Sequence, residues 1–193
     1  DFHTEGVDLT DYEPPEAHFS IYLDNPAENI ISCTAYARYG EETFSLATPI
    51  SCEDGFRDAS MKNRILTAIQ TYFQPAAVSG NEDSPVADAD FIISHDDQAA
   101  FLFLEQGLPH FYELAEVFIS SNMKRIRILS APRTAVGVSV SNGLLEIDIH
   151  SDSLPYEELA GILNSYRRRQ KYYKLKSGEF LKLENNSLSV LSE

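Results

Sequence analysis

The dipeptide Asn142-Gly143 is the feature of this sequence that most constrains its fold, because it separates two runs of alternating apolar and polar residues. These runs are Ala135–Ser141 and Leu144–His150. The two central residues of a type I′ turn both need a positive φ, and Asn-Gly accepts this conformation at low steric cost. The sequence therefore predicts an antiparallel hairpin at this place.

Alternating segments also lie close together near the start of the chain. Residues 18–23 and 31–39 alternate in the same way, and a turn at residues 39–42 leads into a third run at residues 43–47. Neighbouring strands joined by such short turns pair in an antiparallel manner. We therefore expect a three-stranded meander in this region.

A last hairpin is predicted near the C-terminus, where residues 172–175 and 180–183 flank Ser177-Gly178. Shorter segments are assigned from apolar content and from turn-forming residues. They are strands at residues 91–93, 117–119 and 126–129, a loop at residues 79–89, and a short helix at residues 188–191.

Apolar residues recur at helical spacing in residues 61–73 and 155–166, which predicts two amphipathic helices. A third helix is predicted after Ser94 and Asp97, because their spacing fits a capping box. Gly107 is expected to end this helix, and the proline that soon follows is expected to begin another short one.

Segments of strand type and of helix type are grouped along the chain rather than strictly alternating. This grouping predicts an α+β fold, in which antiparallel hairpins and a meander pack with amphipathic helices. We expect an acidic linker or arm at residues 1–16, an acidic α+β subdomain at residues 17–122, and a hairpin-helix-hairpin subdomain at residues 123–193. The last two are also consistent with one continuous domain.

The charge of the chain is divided unevenly between its two halves. The net charge is -15, and the residues up to Met123 include 22 acidic and 4 basic ones. From Lys124 onward there are 11 basic and 8 acidic residues. Clustered Lys and Arg are needed to neutralise phosphates, so the first half is expected to repel nucleic acid and only the second half to tolerate it.

Two segments, AVGVSVSNGLLEIDI (residues 135–149) and KYYKLKSGEFLKLE (residues 171–184), resemble the domain associated with bacterial Swi/Snf-type helicases. Residues 102–128 and the early SIYLDN and ARYGEETF segments are similar to the same family, so the resemblance extends from about Ala17 onward. In that family the domain lies immediately before paired RecA-like ATPase lobes, often after a small zinc-binding module.

The resemblance implies a parent protein with an ATP-dependent, DNA-stimulated motor. ATP and Mg would then belong to the motor lobes of the parent, and this chain would need no cofactor of its own. The resemblance assigns no catalytic residue here. The acidic first half departs from the family pattern and argues against a direct DNA role for that half.

Motifs for catalysis are missing from the sequence. There is no G-x-x-x-x-G-K-[ST] loop for phosphates, and neither Cys33 nor Cys52 has a second ligand at the spacing of a zinc site. His95, Asp96 and Asp97 resemble an acid-base group, but acids at a helix N-terminus are better explained as caps. We therefore expect no catalytic, cofactor-binding or metal-binding residue in this chain, and we do not expect the chain itself to be an enzyme.

Basic and aromatic residues in the second half are candidates for nucleic-acid contact. Lys and Arg can neutralise phosphates while a tyrosine ring stacks on an unpaired base. A purely structural role is the simpler explanation, since a helix C-terminus favours arginine and a half-buried strand alternates Tyr with Lys. The candidates are Arg167, Arg168, Arg169, Lys171, Tyr172, Lys174 and Lys176, with a second patch of Lys124, Arg125 and Arg127.

The leading hypothesis is a non-catalytic accessory domain of a bacterial Swi/Snf-type helicase or DNA translocase. Its partners would be the ATPase lobes of the same polypeptide and DNA, the latter through the basic C-terminal part. The alternative is a protein-interaction or autoinhibitory module without DNA contact, whose acidic face occupies a basic cleft of the motor.

The chain is expected to be a monomeric fragment of a longer cytoplasmic protein. It begins at Asp1 and carries methionine only at Met61 and Met123. No apolar run approaches the length of a membrane span, and two cysteines are too few for a disulfide scaffold.

Overall fold

The structure, a computed structural model, describes residues 16–48, 58–76, 86–130, 135–141, 144–150 and 155–183. At residues 135–141 and 144–150 it describes the backbone. Four predictions lie wholly or mostly outside the described residues: the arm at residues 1–16, the loop at residues 79–89, the Asn142-Gly143 turn, and the short helix at residues 188–191.

The described residues form strands and helices in separate groups, which confirms the α+β fold class. The strands are β1 (Ala17–Ala27), β2 (Ile30–Tyr39), β3 (Glu42–Ser45), β4 (Gln74–Pro75), β5 (Phe91–Ser94), β6 (Glu116–Ile119), β7 (Ile128–Ser130), β8 (Ala135–Ser141), β9 (Leu144–His150), β10 (Tyr172–Lys174) and β11 (Phe180–Lys182). The helices are α1 (Ala59–Tyr72), α2 (Asp97–Leu102), α3 (Leu108–Leu114) and α4 (Leu159–Arg167), with 3₁₀ turns at Met123–Arg125 and Tyr156–Glu158 and a π-helical turn at Phe103–Gly107.

The main sheet is built around the predicted meander. Its strand order is β4-β5-β2-β1-β6, and β3 pairs with β2 beyond the end of β5. Successive side chains of β1 point to opposite faces of the sheet. Ile21 and Leu23 are buried, whereas Tyr22 between them is exposed. The meander is confirmed, and one face of the sheet forms the core while the other faces solvent.

Two strand pairings are parallel, in addition to the predicted antiparallel hairpins and meander. Strand β6 runs parallel to β1, with Val117 opposite Ile21, and β7 runs parallel to β11, with Leu129 opposite Leu181. A parallel pair needs a long crossover connection, and here the chain passes through helices between the two partners. Turn-forming residues indicate pairing only between strands that are adjacent in sequence, so these two parallel pairs were not predicted. The predicted hairpins β8-β9 and β10-β11 are antiparallel.

Helix α1 follows its predicted pattern. The carboxylate of Asp58 accepts a hydrogen bond from the backbone N–H of Met61 at 2.9 Å, which caps the first turn. Ile65 and Ile69, one turn apart, are fully buried in the main core. The helix ends shortly before Pro75, as predicted.

The next helix begins differently from the prediction. Its N-cap is Asp96, whose carboxylate accepts a hydrogen bond from the backbone N–H of Ala99 at 2.9 Å. The capping box predicted from Ser94 was therefore wrong. If Ser94 were the cap, His95 would be the first helical residue, but His95 has a left-handed φ of 52°. The interpretation of Asp96 as a cap rather than as an acid-base residue agrees with this geometry.

Gly107 does not end that helix. The chain continues through the π-helical turn directly into α3. A Cβ atom at Gly107 would lie 2.7 Å from a ring carbon of Phe103 and 2.8 Å from a ring carbon of Tyr72. The glycine therefore allows the close approach of two helices, and the prediction of a C-terminal stop was wrong.

The second sheet, with strand order β10-β11-β7, lies between two apolar clusters. Tyr172 and Phe180 pack with the main core, whereas Leu181 packs with Ile162 of α4. Adjacent residues of β11 thus point to opposite sides, and the sheet joins α4 to the main body. The core also crosses the predicted subdomain boundary at residues 122 and 123, because Met123 and Phe180 belong to the main cluster.

Candidate nucleic-acid interface

Helix α4 ends in a Schellman motif at the start of the basic segment. The backbone N–H of Arg169 donates to the carbonyl of Tyr166 at 2.9 Å, and that of Gln170 donates to the carbonyl of Ser165 at 3.0 Å. Arg169 has a φ of 57°, in the left-handed region where glycine is preferred. An arginine at this position carries a conformational cost that glycine would avoid.

The side chains around this helix end are exposed. We call Arg167, Arg168, Arg169 and Lys171 the basic corner, since all four are exposed and nearly consecutive. Among the residues that the structure describes, none of the four takes part in an ion pair. Their charge is therefore available to an external anion such as a phosphate group.

The other basic candidates lie at the opposite end of the second sheet. Lys171 directly precedes β10, whereas Lys176 follows it. Arg127 directly precedes β7, next to the β10-β11 turn, and Lys124 and Arg125 lie in the 3₁₀ turn before it. The three residues of β10 separate the two ends by about 10 Å. The residues predicted around β10 are thus divided between two ends rather than brought together.

Tyr172 is better explained as a core residue than as a base-stacking residue. Its ring stacks on Phe101 with the centroids 4.5 Å apart and meets the ring of Phe180 edge-on at 5.4 Å. Burial raises the pKa of the Tyr172 hydroxyl, and the charges of Asp97 and Asp96 raise it further. The aromatic surface of Tyr172 is used inside the protein, so its geometry does not favour the predicted base stacking.

Two of the predicted cations are engaged by carboxylates. The ammonium group of Lys174 lies 2.5 Å from the carboxylate of Asp97 and also donates to the side-chain oxygen of Asn29. Arg127 donates through Nε to the carboxylate of Glu179 at 2.8 Å. Lys174 thereby ties the second sheet to the main body, and both cations are weaker candidates for phosphate contact than the basic corner.

A polar cleft of about 630 Å³ lies where the second sheet meets the main body. Its size falls within the range of small-molecule sites. Carboxylates are as prominent as cations along its walls, so it does not fit a phosphate backbone. The charged residues that line it are Glu28, Asp96, Asp97, Arg125, Glu158, Lys174 and Lys176.

Glu158 is a carboxylate that the fold buries, with 7% of its surface exposed. Its two oxygens accept hydrogen bonds from the backbone N–H of Lys176, at 3.1 and 3.3 Å. Burial, followed by the charge and the hydrogen bond of Glu158, raises the pKa of Tyr173. The sequence indicated only an acidic first turn here, because Glu158 and Lys176 meet through tertiary packing that no local pattern signals.

Within the described ranges, none of the helices combines the length and the apolar composition that a membrane span requires. Within the same ranges, no three His, Cys, Asp or Glu residues lie close enough together to hold a metal ion. Cys33 is a buried free thiol, and burial raises its pKa far above the usual range. Its position does not suit it to act as a nucleophile at neutral pH.

Comparison with known proteins adds evidence that is independent of this geometry. A family model described as "Bacterial SNF2 helicase associated" matches residues 3–193. No curated protein and no solved structure matches the chain. The family match includes the second sheet and the basic corner, and it agrees with the resemblance of residues 135–149 and 171–184.

Proposed function

Because the chain belongs to the bacterial SNF2 helicase-associated family, we propose that it is a non-catalytic accessory domain that contacts DNA through the basic corner. In this proposal the DNA contact assists the motor lobes of the same polypeptide. ATP and Mg would be held by those lobes, where the hydrolysis takes place. The buried free thiol of Cys33 is consistent with a reducing, cytoplasmic setting.

The observation that carries the proposal is the arginine at position 169. Its backbone conformation favours glycine, yet the residue there is an exposed arginine that directly follows Arg167 and Arg168 in the chain. Residues that are kept at a conformational cost concentrate at functional sites. A need for positive charge at this surface accounts for arginine where stability alone would favour glycine.

The distribution of charge restricts how DNA can approach. The 22 acidic and 4 basic residues up to Met123 repel a polyanion, so a DNA backbone would meet the domain from the side of α4 and the second sheet. Three arginines in succession present guanidinium groups that match phosphate geometry. Contacts from these arginines to phosphate groups do not distinguish one base from another, so we expect binding that is independent of DNA sequence.

The proposal is tested by fluorescence anisotropy of a labelled DNA duplex at low salt. Arg167→Ala and Arg168→Ala, separately and together, are expected to weaken binding. Arg64→Ala is the matched control, because Arg64 is exposed on α1 and its loss changes the net charge equally. Equal affinities for the Arg168→Ala and Arg64→Ala variants would contradict contact at the basic corner.

A second function is favoured by the acidic half itself, whose charge resembles that of DNA. In this alternative the domain occupies a basic cleft of the motor and inhibits it, without touching DNA. Deletion of the domain from the full-length parent would then raise the basal ATPase rate. An unchanged or lower rate would count against autoinhibition.

A further inference from the structure

The open face of the main sheet carries three aromatic rings, on adjacent strands. Tyr22 lies on β1, Tyr36 on β2 and Phe118 on β6, and we call these three residues the aromatic patch. Tyr22 is 44% exposed and Phe118 is 41% exposed. Single exposed apolar residues are ordinary, but a contiguous group on one sheet face is typical of an interaction surface.

The rings of the aromatic patch are held in a defined arrangement. The rings of Tyr22 and Phe118 are stacked, with centroids 4.8 Å apart and planes 12° apart. The ring of Tyr36 meets that of Tyr22 edge-on, with centroids 5.8 Å apart and planes at 74°. Their positions follow from the register, which places Tyr22 opposite Phe118 across the parallel pair. The three side chains are therefore already ordered by their mutual contacts before a partner binds, which lowers the conformational entropy lost on binding.

Two shallow depressions flank the stacked pair, with volumes of about 440 and 490 Å³. The smaller is lined by Arg38 and Glu116, and the larger by Asp24 and Asp88. Carboxylates thus outnumber cations around the rings. A surface of this sign attracts cations and repels phosphates.

We propose that the aromatic patch binds an arginine-bearing segment of a partner protein. A guanidinium group can lie flat on a tyrosine or phenylalanine ring and at the same time pair with a neighbouring carboxylate such as Glu116. A nucleic acid would gain the base stacking but would be repelled by the surrounding acidic charge. The site lies on the main sheet and is independent of DNA contact at the basic corner.

The test uses two labelled peptides of equal charge, nona-arginine and nona-lysine, titrated into the chain and followed by anisotropy. Long-range Coulomb attraction to an acidic protein is the same for two peptides of equal charge, whereas stacking on rings and bidentate pairing with carboxylates both favour arginine. The ring-removing variants separate these two contributions. We expect nona-arginine to bind more tightly by about fivefold. Tyr22→Leu and Phe118→Leu keep the apolar bulk but remove the rings, and each is expected to reduce this preference.

The matched control is Tyr112→Leu, because Tyr112 is a 56% exposed aromatic residue on α3 and not in the patch. It should leave the arginine preference intact. Thermal unfolding of each variant checks that it still folds. If Tyr22→Leu does not fold, the arginine preference is tested with Phe118→Leu alone, because Phe118 lies on the edge strand β6.

Three outcomes would overturn the proposal. The first is equal affinity for the two peptides, or a preference that survives both leucine variants. The second is a single-stranded oligonucleotide that binds more tightly than nona-arginine and whose affinity falls in the same variants. The third is self-association of the chain that the same variants abolish, which would make a second copy the partner.

Discussion

The backbone N–H of Arg169 donates a hydrogen bond to the carbonyl of Tyr166 at 2.9 Å, and Arg169 is thereby held in a left-handed conformation directly after helix α4. Glycine is the residue that this motif usually selects. At position 169, the stability of the helix end therefore favours glycine, whereas the positive charge of the basic corner requires arginine.

Arg169→Gly is expected to raise the free energy of unfolding by about 0.5–1 kcal/mol while it weakens DNA binding. Urea unfolding and DNA anisotropy measure the two effects. Arg168→Gly is the control, because Arg168 has a φ of -78° and gains nothing from glycine. It should lower the free energy of unfolding by about 0.5–1 kcal/mol. A loss of stability in the Arg169→Gly variant would refute the assignment of conformational cost.

Glu158→Ala is expected to lower the free energy of unfolding by about 1–3 kcal/mol, because the backbone N–H of Lys176 loses its acceptor. Glu158→Gln should cost less, since its amide oxygen still accepts. Glu157→Ala removes the same charge from an exposed neighbour and should change stability by no more than about 0.5 kcal/mol. Equal losses at positions 157 and 158 in urea unfolding would argue against the buried contact.

The raised pKa of Tyr173 predicts a loss of stability at alkaline pH. A tyrosine in the unfolded chain ionises at about pH 10, and the folded protein holds the Tyr173 proton to a higher pH. The stabilisation is complete below about pH 10 and is lost as the pH rises through the folded-state pKa. Tyr173→Phe should therefore make the decline of stability above about pH 10 less steep. Identical pH profiles for the two proteins in urea unfolding would contradict this.

Gly107→Ala is expected to lower the free energy of unfolding by about 1–3 kcal/mol, because its Cβ would lie 2.7 Å from Phe103 and 2.8 Å from Tyr72. The control variant Gln106→Ala puts alanine at the adjacent exposed position, where it adds no atom to the packed interior. Its effect should stay within about 0.5 kcal/mol. A tolerated alanine at position 107 would show that the two rings can move apart at little cost.

Local patterns were sufficient for the elements that depend on neighbours in sequence. The meander of β1 to β3, the hairpins β8-β9 and β10-β11, and the stripe of α4 were all predicted from period and turn residues. Each of these depends on the alternation or spacing within a segment and on the turn to the next segment in sequence. The predicted α+β class follows from them.

Features that depend on tertiary contact could not be predicted in this way. The parallel pairing of β6 with β1 joins segments that are far apart in sequence, and no turn residue reports it. Gly107 was interpreted as a helix stop because glycine is common there, although its role is to admit the ring of Tyr72. The position of Arg127 next to the β10-β11 turn likewise follows from the β7-β11 pairing.

The aromatic patch consists of aromatic residues at outward-facing strand positions. The solvent-facing positions of a half-buried strand are usually polar, yet Tyr22 and Phe118 both lie at solvent-facing positions. Aromatic residues at solvent-facing positions of two strands indicate a candidate binding surface only when the two strands are known to be neighbours in the sheet. The sequence alone did not place β1 beside β6.

The most direct test of the central claim is the salt dependence of DNA binding for the unchanged chain and for the Arg167→Ala/Arg168→Ala variant. Removal of one arginine that neutralises a phosphate should reduce the slope of log affinity against log salt by about 1. We predict a slope smaller by about 2 for the variant. Equal slopes, or no salt-dependent binding by the unchanged chain, would contradict DNA contact through the basic corner.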